Sequence, residues 1–191
     1  VELTDAKVTV KDKAKEQADA NRKKTLAEIA EQRDVNKEKV KELEAKIEKA
    51  KAEHDKESEY VRKADAPLQA RLTSLSGQAA NLNRQLFSID SQIALVQAQL
   101  NATKDENVRN ILFLELNRLG AQEGSIQAEL FTLNNQAANV QQQRSTLAVR
   151  QQRADAELAA KYDQVDAELN AIAKKERRDE VAEKKASTAG P

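Results

Sequence analysis

The sequence predicts an all-α fold, a long antiparallel coiled-coil hairpin of two helices, with two hairpins packing further into a four-helix bundle. Three observations carry this expectation. Apolar residues recur at alternating steps of three and four over most of the chain, which is the heptad pattern of a coiled-coil seam. Four Gly and two Pro in 191 residues leave little material for the turns of a sheet or a multi-loop fold. The composition is also palindromic. Residues before about Lys63 and after about Arg150 are rich in Lys and Glu, while the middle is rich in Gln, Asn, Ser and Ala. A chain that reverses near its midpoint brings like zones side by side, whereas a continuous helix has no reason to be symmetric.

Residues 1–13 form a leading segment in which the alternation Val8-Thr9-Val10 allows a non-helical start. The ascending helix is placed at 14–102. Its seam opens at Leu26 and Ile29, is interrupted by Arg33 and Asn36, and continues through Val40, Leu43, Ile47 and Ala50. It then passes His54, Glu57, Val61, Ala64 and Leu68 and runs on through Leu72, Leu75, Leu82, Ile89 and Val96 to Leu100. Ala64, Leu68 and Leu72 are successive steps of four, a stutter that locally unwinds a supercoil. Pro67 sits beside it and removes an amide donor, so the helix either restarts there or kinks and continues; the unbroken seam favours the kink.

Turn-forming residues are densest at Asn101–Asn107, and the reversal is placed at 103–107 with Thr103 and Glu106 as a capping box. The descending helix follows at 108–184. Its seam runs from Leu112 through Leu119, Glu123, Ile126, Val140, Arg144 and Gln151 to Leu158, Tyr162, Val165 and Ile172. Each helix is then roughly 75 residues along its seam, about 110 Å at 1.5 Å per residue. Residues 185–191 read as an exit linker.

Two registers are open. A simple hairpin centred near Thr103 sets Phe131 opposite Gly77 and Phe87 against Gly120 and Ala121, large against small. Aligning the stutter at Ala154, Leu158 and Tyr162 with that at Ala64–Leu72 would instead centre the reversal near Phe113, with residues 101–125 a small helical tip ended by Gly120 or Gly124. The simple hairpin is the expectation.

Lys plus Arg equal Asp plus Glu at 32 each, so nucleic acid is not expected as a partner. No apolar run approaches the roughly 20 residues of a membrane span, so this segment is not expected to insert in a membrane. With no Cys there is no disulfide and no thiolate ligand or nucleophile, and the cellular compartment stays open. No Met occurs at any position and the first residue is Val1, which reads as a segment of a larger protein.

His54 is the single histidine and falls on the seam, where a polar residue that sets register is favoured over a metal ligand. The carboxylates read as helix-surface partners, such as Glu42 with Lys46 and Glu59 with Lys63. No catalytic constellation, cofactor fingerprint or metal-ligand set is present, so a non-enzymatic protein without cofactor or metal is expected. Ile111, Phe113 and Leu114 differ in kind. They lie beside the turn and off the seam, as self-packing at the tip, a homodimer contact or a protein-docking patch. Ala80, Phe87 and Ala94, with Ala128, Phe131 and Ala138, form a weaker off-seam stripe suited to homo-oligomer packing.

The function expected is therefore a structural spacer or protein-docking domain, with protein as the partner and self-association. The same hairpin would serve a transport or secretion adaptor or a bacteriocin-type receptor-binding region. It would serve equally as the soluble coiled-coil domain of a membrane-anchored protein.

Overall fold

The computed structural model describes residues 2–188, with side chains described from Lys13 onward. Two helices account for all of this except Thr103–Asp105: α1 (Glu2–Ala102) and α2 (Glu106–Thr188). They form a two-helix hairpin. The chain divides into two compact units. One pairs residues 2–55 of α1 with 155–188 of α2, and the other comprises 56–154 and includes the turn.

In the unit at 56–154, Leu75, Ile89, Leu119, Ile126 and Val140 are buried. Ile89, Leu119 and Ile126 form its cluster, with Leu82, Leu86, Ile93, Val96 and Leu130 packed around them. In the other unit Ile29, Leu43 and Val165 are buried on the same periodic positions. Every one of these is a seam residue, because two helices alone can shelter only one narrow stripe from water. The seam frays at its start, where Leu26 is exposed.

Cross-helix partners fix the register. Asp65 pairs with Arg144 and Ser58 with Gln151, pairs symmetric about residues 104 and 105. The simple hairpin is therefore the one formed, and α2 passes through Gly120 and Gly124 without interruption. No described glycine has positive φ, so neither ends a helix.

Several local expectations need correction. The segment 1–13 is not a non-helical leader, since α1 begins at Glu2. Three alternating residues cannot hold a strand without a partner strand, and the Lys, Ala and Glu around them favour helix. The exit linker is shortened likewise, since α2 runs to Thr188 with Lys185 in its last turn, where a cation complements the helix dipole; Ala189–Pro191 lie outside the described residues. Pro67 lies inside α1, which runs on through it.

The turn is confined to Thr103–Asp105, and its cap is not the Thr103–Glu106 box. Asp105 Oδ1 accepts from the amides of Asn107 (2.9 Å) and Val108 (3.4 Å), so Asp105 is the N-cap of α2. Arg109 closes the other side. Its Nη1 donates to the carbonyls of Leu100 (2.9 Å) and Thr103 (3.2 Å), satisfying acceptors that the end of α1 leaves open.

The large-against-small packing of Phe87 and Phe131 on glycines within the hairpin is absent. Phe87 is 76% and Phe131 68% exposed, and a Cβ built at Gly77, Gly120 or Gly124 meets nothing within 4 Å. The register is the expected one, but these residues sit on flanks that point away from the partner helix. Glycine inside a helix is less favourable than alanine by about 0.5–1 kcal/mol, so Gly77→Ala should stabilise the chain by about that amount. Leu119→Ala, at a position 1% exposed, should destabilise its unit by about 2–5 kcal/mol. Denaturant unfolding followed by circular dichroism measures both.

Candidate functional site

Two kinds of residue could carry function: the polar groups set into the seam, and the apolar groups left outside it. Most of the polar groups are taken up by cross-helix pairing, whereas Asn36 accepts from Gln32 and Glu123 from Gln127 on their own helices. Arg144 Nε and Nη2 donate to the two carboxylate oxygens of Asp65 at 2.7 and 3.1 Å. Arg150 pairs with Glu57 in the same forked manner and lays its guanidinium over the Tyr60 ring, 4.1 Å from the centroid. Gln151 donates to Ser58 at 2.9 Å. In the other unit Arg33 pairs with Glu183, and Lys51 lies 6.0 Å from the centroid of the Tyr162 ring. Two of these arginines hold their partner carboxylates below the usual range, Arg150 acting on Glu57 and Arg144 on Asp65.

His54 belongs to this set. Its Nε2 lies 2.7 Å from Asp155 Oδ1 across the hairpin, and Nδ1 lies 3.8 Å from Asp55 on its own helix. The hydrogen bond to Asp155 raises its pKa, against an opposing effect of burial. Among the described residues no group of three His, Asp or Glu converges as a metal site. On the helix surface, the expected Glu59–Lys63 pair forms at 3.3 Å and is joined by Arg62. Together the two cations hold the Glu59 carboxyl down at about 2, Arg62 contributing most.

The apolar residues tell a different story. Ile111 is 65% and Leu114 70% exposed, with Phe113 about half exposed. The structure does not bring all three together. Three residues apart on a helix, Ile111 and Leu114 lie about 60° apart, whereas Phe113 lies about 160° from Ile111 and about 100° from Leu114. Arg109, while capping α1, sits 6.0 Å from the centroid of the Phe113 ring. On the Ile111 side the register sets Leu95 of α1 level with Leu114, and both are exposed. Val108 extends the patch towards the turn.

Sequence reading missed Leu95 and Val108 because membership of this patch depends on which flank of α1 meets which flank of α2. It missed Arg109 as a cap because the carbonyls it reaches, those of Leu100 and Thr103, come within its range only once the chain has turned back. Asp105 was legible, being an N-cap residue type directly before a helix-forming run.

No family model matches the sequence, and no curated protein matches it. Among solved structures, the HP0958 protein from Helicobacter pylori CCUG 17874 is similar in fold, at TM-score 0.54 and 18% identity, covering 90% of this chain and 72% of that one. The likeness is one of fold.

The His54–Asp155 pair has a signed consequence. A histidine whose folded pKa is raised above its ordinary 6.5 contributes stability that is fully present below that value and lost as pH rises through the folded pKa. Glu57 and Asp65 act oppositely, contributing above their ordinary values of 4.5 and 3.8 and losing that contribution as pH falls. Thermal melting should therefore show stability falling as pH rises beyond about 6.5, a slope centred on the histidine range. His54→Gln should flatten that slope while leaving the acid-side loss unchanged.

Proposed function

We propose that this chain is a non-enzymatic helical hairpin that works as a structural and protein-docking module, and that it takes its partner near the turn. The observation that carries this reading is the exposure of Leu95 and Ile111 on one flank of the hairpin, with Leu114 exposed beside Ile111 on the outer face of α2, all outside the seam. Fully covering one such side chain contributes about 1.5–3 kcal/mol, and contiguous exposed apolar surface rimmed by polar residues is characteristic of an interaction site. Glu115 and Arg118, paired with each other, supply such a rim beside Leu114.

The charged ends of the two helices support the reading by contrast. Their Lys, Arg, Asp and Glu are satisfied by water and by pairs along one helix, such as Lys41 with Glu38 and Lys51 with Glu48. Surface pairs of this kind confer little specificity. A spacer role suits them. The depressions along the hairpin are shallow grooves between the two helices, such as that bounded by Val61, Asp65, Arg144 and Leu147, and the ionic groups there are engaged with each other. This supports a role in binding rather than in catalysis. No described helix is long and apolar enough to cross a membrane. Self-association is part of the same proposal, since the chain carries apolar residues on more than one flank.

A photo-crosslinking amino acid placed at Leu114 should give a discrete protein adduct in extract of the source cells, and one placed at Glu44 in the charged arm should not. Ile111→Gln with Leu114→Gln should keep full helicity and abolish adducts formed from a crosslinker at Leu95. Adducts from Glu44 alone would place docking at the wrong end, and a loss of helicity in the double variant would make these residues part of the fold.

A further inference from the structure

The flank opposite the Leu95 and Ile111 side carries a second, differently built surface. In heptad terms it is the b and e flank of both helices, and in an antiparallel pair these flanks lie on the same side of the hairpin. The groove on the other side confirms the assignment, being bounded by Gln78 and Asn81 of α1 with Ser125, Glu129 and Thr132 of α2, all on the c and g flank. All three phenylalanines of the chain, Phe87, Phe113 and Phe131, fall on the b and e side, and all are exposed. So do Gly120 and Gly124, where an added Cβ would meet nothing within 4 Å.

The arrangement is symmetric. Phe113 and Phe131 are 18 residues apart, five helical turns, so they point the same way from α2. Gly120 and Gly124 lie between them, and both pairs are centred on residue 122. The register of the Asp65–Arg144 and Ser58–Gln151 pairs sets Phe87 of α1 level with that same residue. On α1, Ala80 and Ala94 flank Phe87 at seven residues on either side. One level along the hairpin therefore has a bulky ring on one helix beside a glycine notch on the other, with large and small residues balanced above and below it.

We propose that a second copy of this chain covers this face, the two hairpins packing face to face about a two-fold axis that runs parallel to the helices between them, with both turns at the same end. This rests on reading the turn-proximal half as an interaction surface, and it assigns that half a specific occupant on one of its two sides. The rotation lays α1 of each copy over α2 of the other. Phe87 of each then enters the notch at Gly120 and Gly124 of the other, while Phe113 comes over Ala94 and Phe131 over Ala80. Large residue meets small at every level, the condition for close helix packing.

Area and charge agree with this occupant. The covered face spans about 26 residues, near 40 Å, and two helix diameters, near 20 Å, or about 800 Å² per copy, which is what a standard stable interface buries on each side. Asp90 is the one ionisable residue on this flank between Thr73 and Asn101 of α1 and between Phe113 and Ala138 of α2. In the pair it comes within a turn of the second copy's Asn117, whose side-chain amide has N–H groups to offer. The opposite flank carries Glu115, Arg118 and Glu129 over the same span, and charge depletion is what marks the core of an interface. The two glycines also find their reason here, since the single hairpin has no use for their small size.

Sedimentation velocity on the whole chain, with single-cysteine spin labelling made simple by the absence of native Cys, tests the proposal. The wild type should be a dimer at micromolar concentration. Gly120→Leu with Gly124→Leu has open space in the hairpin, so helicity should hold or rise while dimer dissociation strengthens about 100-fold. Phe87→Gln should weaken the dimer about 30-fold. Gly77→Leu, and Ile111→Gln with Leu114→Gln on the opposite flank, should leave it unchanged. A label at Asn101→Cys should read under about 20 Å between copies, since both turns lie at the same end. A monomer throughout, or a dimer with labels about 40 Å apart as stacking with the turns at opposite ends requires, would overturn the proposal. A dimer dissociated only by the Ile111 and Leu114 variant would also overturn it, while leaving the turn-proximal half as the interacting region. Crosslinking from Leu114 tests the docking reading independently of all of these.

Discussion

Two helices packed only on each other can hide one stripe of side chains from water, and the rest of this structure follows from that limit. The buried residues are a single file: Ile29, Asn36 and Leu43 with Val165 in one unit, Leu75, Ile89 and Leu100 with Leu119, Ile126 and Val140 in the other. Among the described residues the buried positions form no second layer.

An apolar seam alone specifies register weakly, because a leucine in a hole of the next heptad packs almost as well as in its own. The polar residues that interrupt the seam remove this ambiguity. Asp65 with Arg144, Glu57 with Arg150, Ser58 with Gln151 and His54 with Asp155 each find a partner at one register, and a slip by one heptad would leave them unmatched. The short turn adds a fixed origin. Asp105 caps α2 and Arg109 caps α1 within three non-helical residues, leaving no slack for the helices to slide.

With the seam and register set, the leftover apolar residues fall into two populations on opposite sides of the turn-proximal half. Leu95, Ile111 and Leu114 stand among charges on one side. Phe87, Phe113 and Phe131 stand on the other with two glycines and almost no charge. Surfaces so different in composition suit different occupants, a charged rim suiting a reversible partner and a neutral, small-and-large face suiting permanent packing. In that arrangement self-association and partner docking would not compete for the same residues.

The sequence by itself determined the helices, the seam and the hairpin, because heptad spacing over dozens of residues is a one-dimensional signal and the scarcity of Gly and Pro closes off other folds. It also marked the region beside the turn, since Ile111, Phe113 and Leu114 cannot all belong to a seam. What it left open was everything that depends on angle and level between the helices. Phe87 and Phe131 were expected against glycines of their own hairpin because they stand at the right level, but only the rotation of each helix about its axis shows that they point outward. The same rotation separates Phe113 from Ile111 and joins Leu95 to Ile111. Periodicity fixes the phase of each helix relative to its own seam, whereas the grouping of residues from two helices on one face exists only once the chain has folded back and the register has been set.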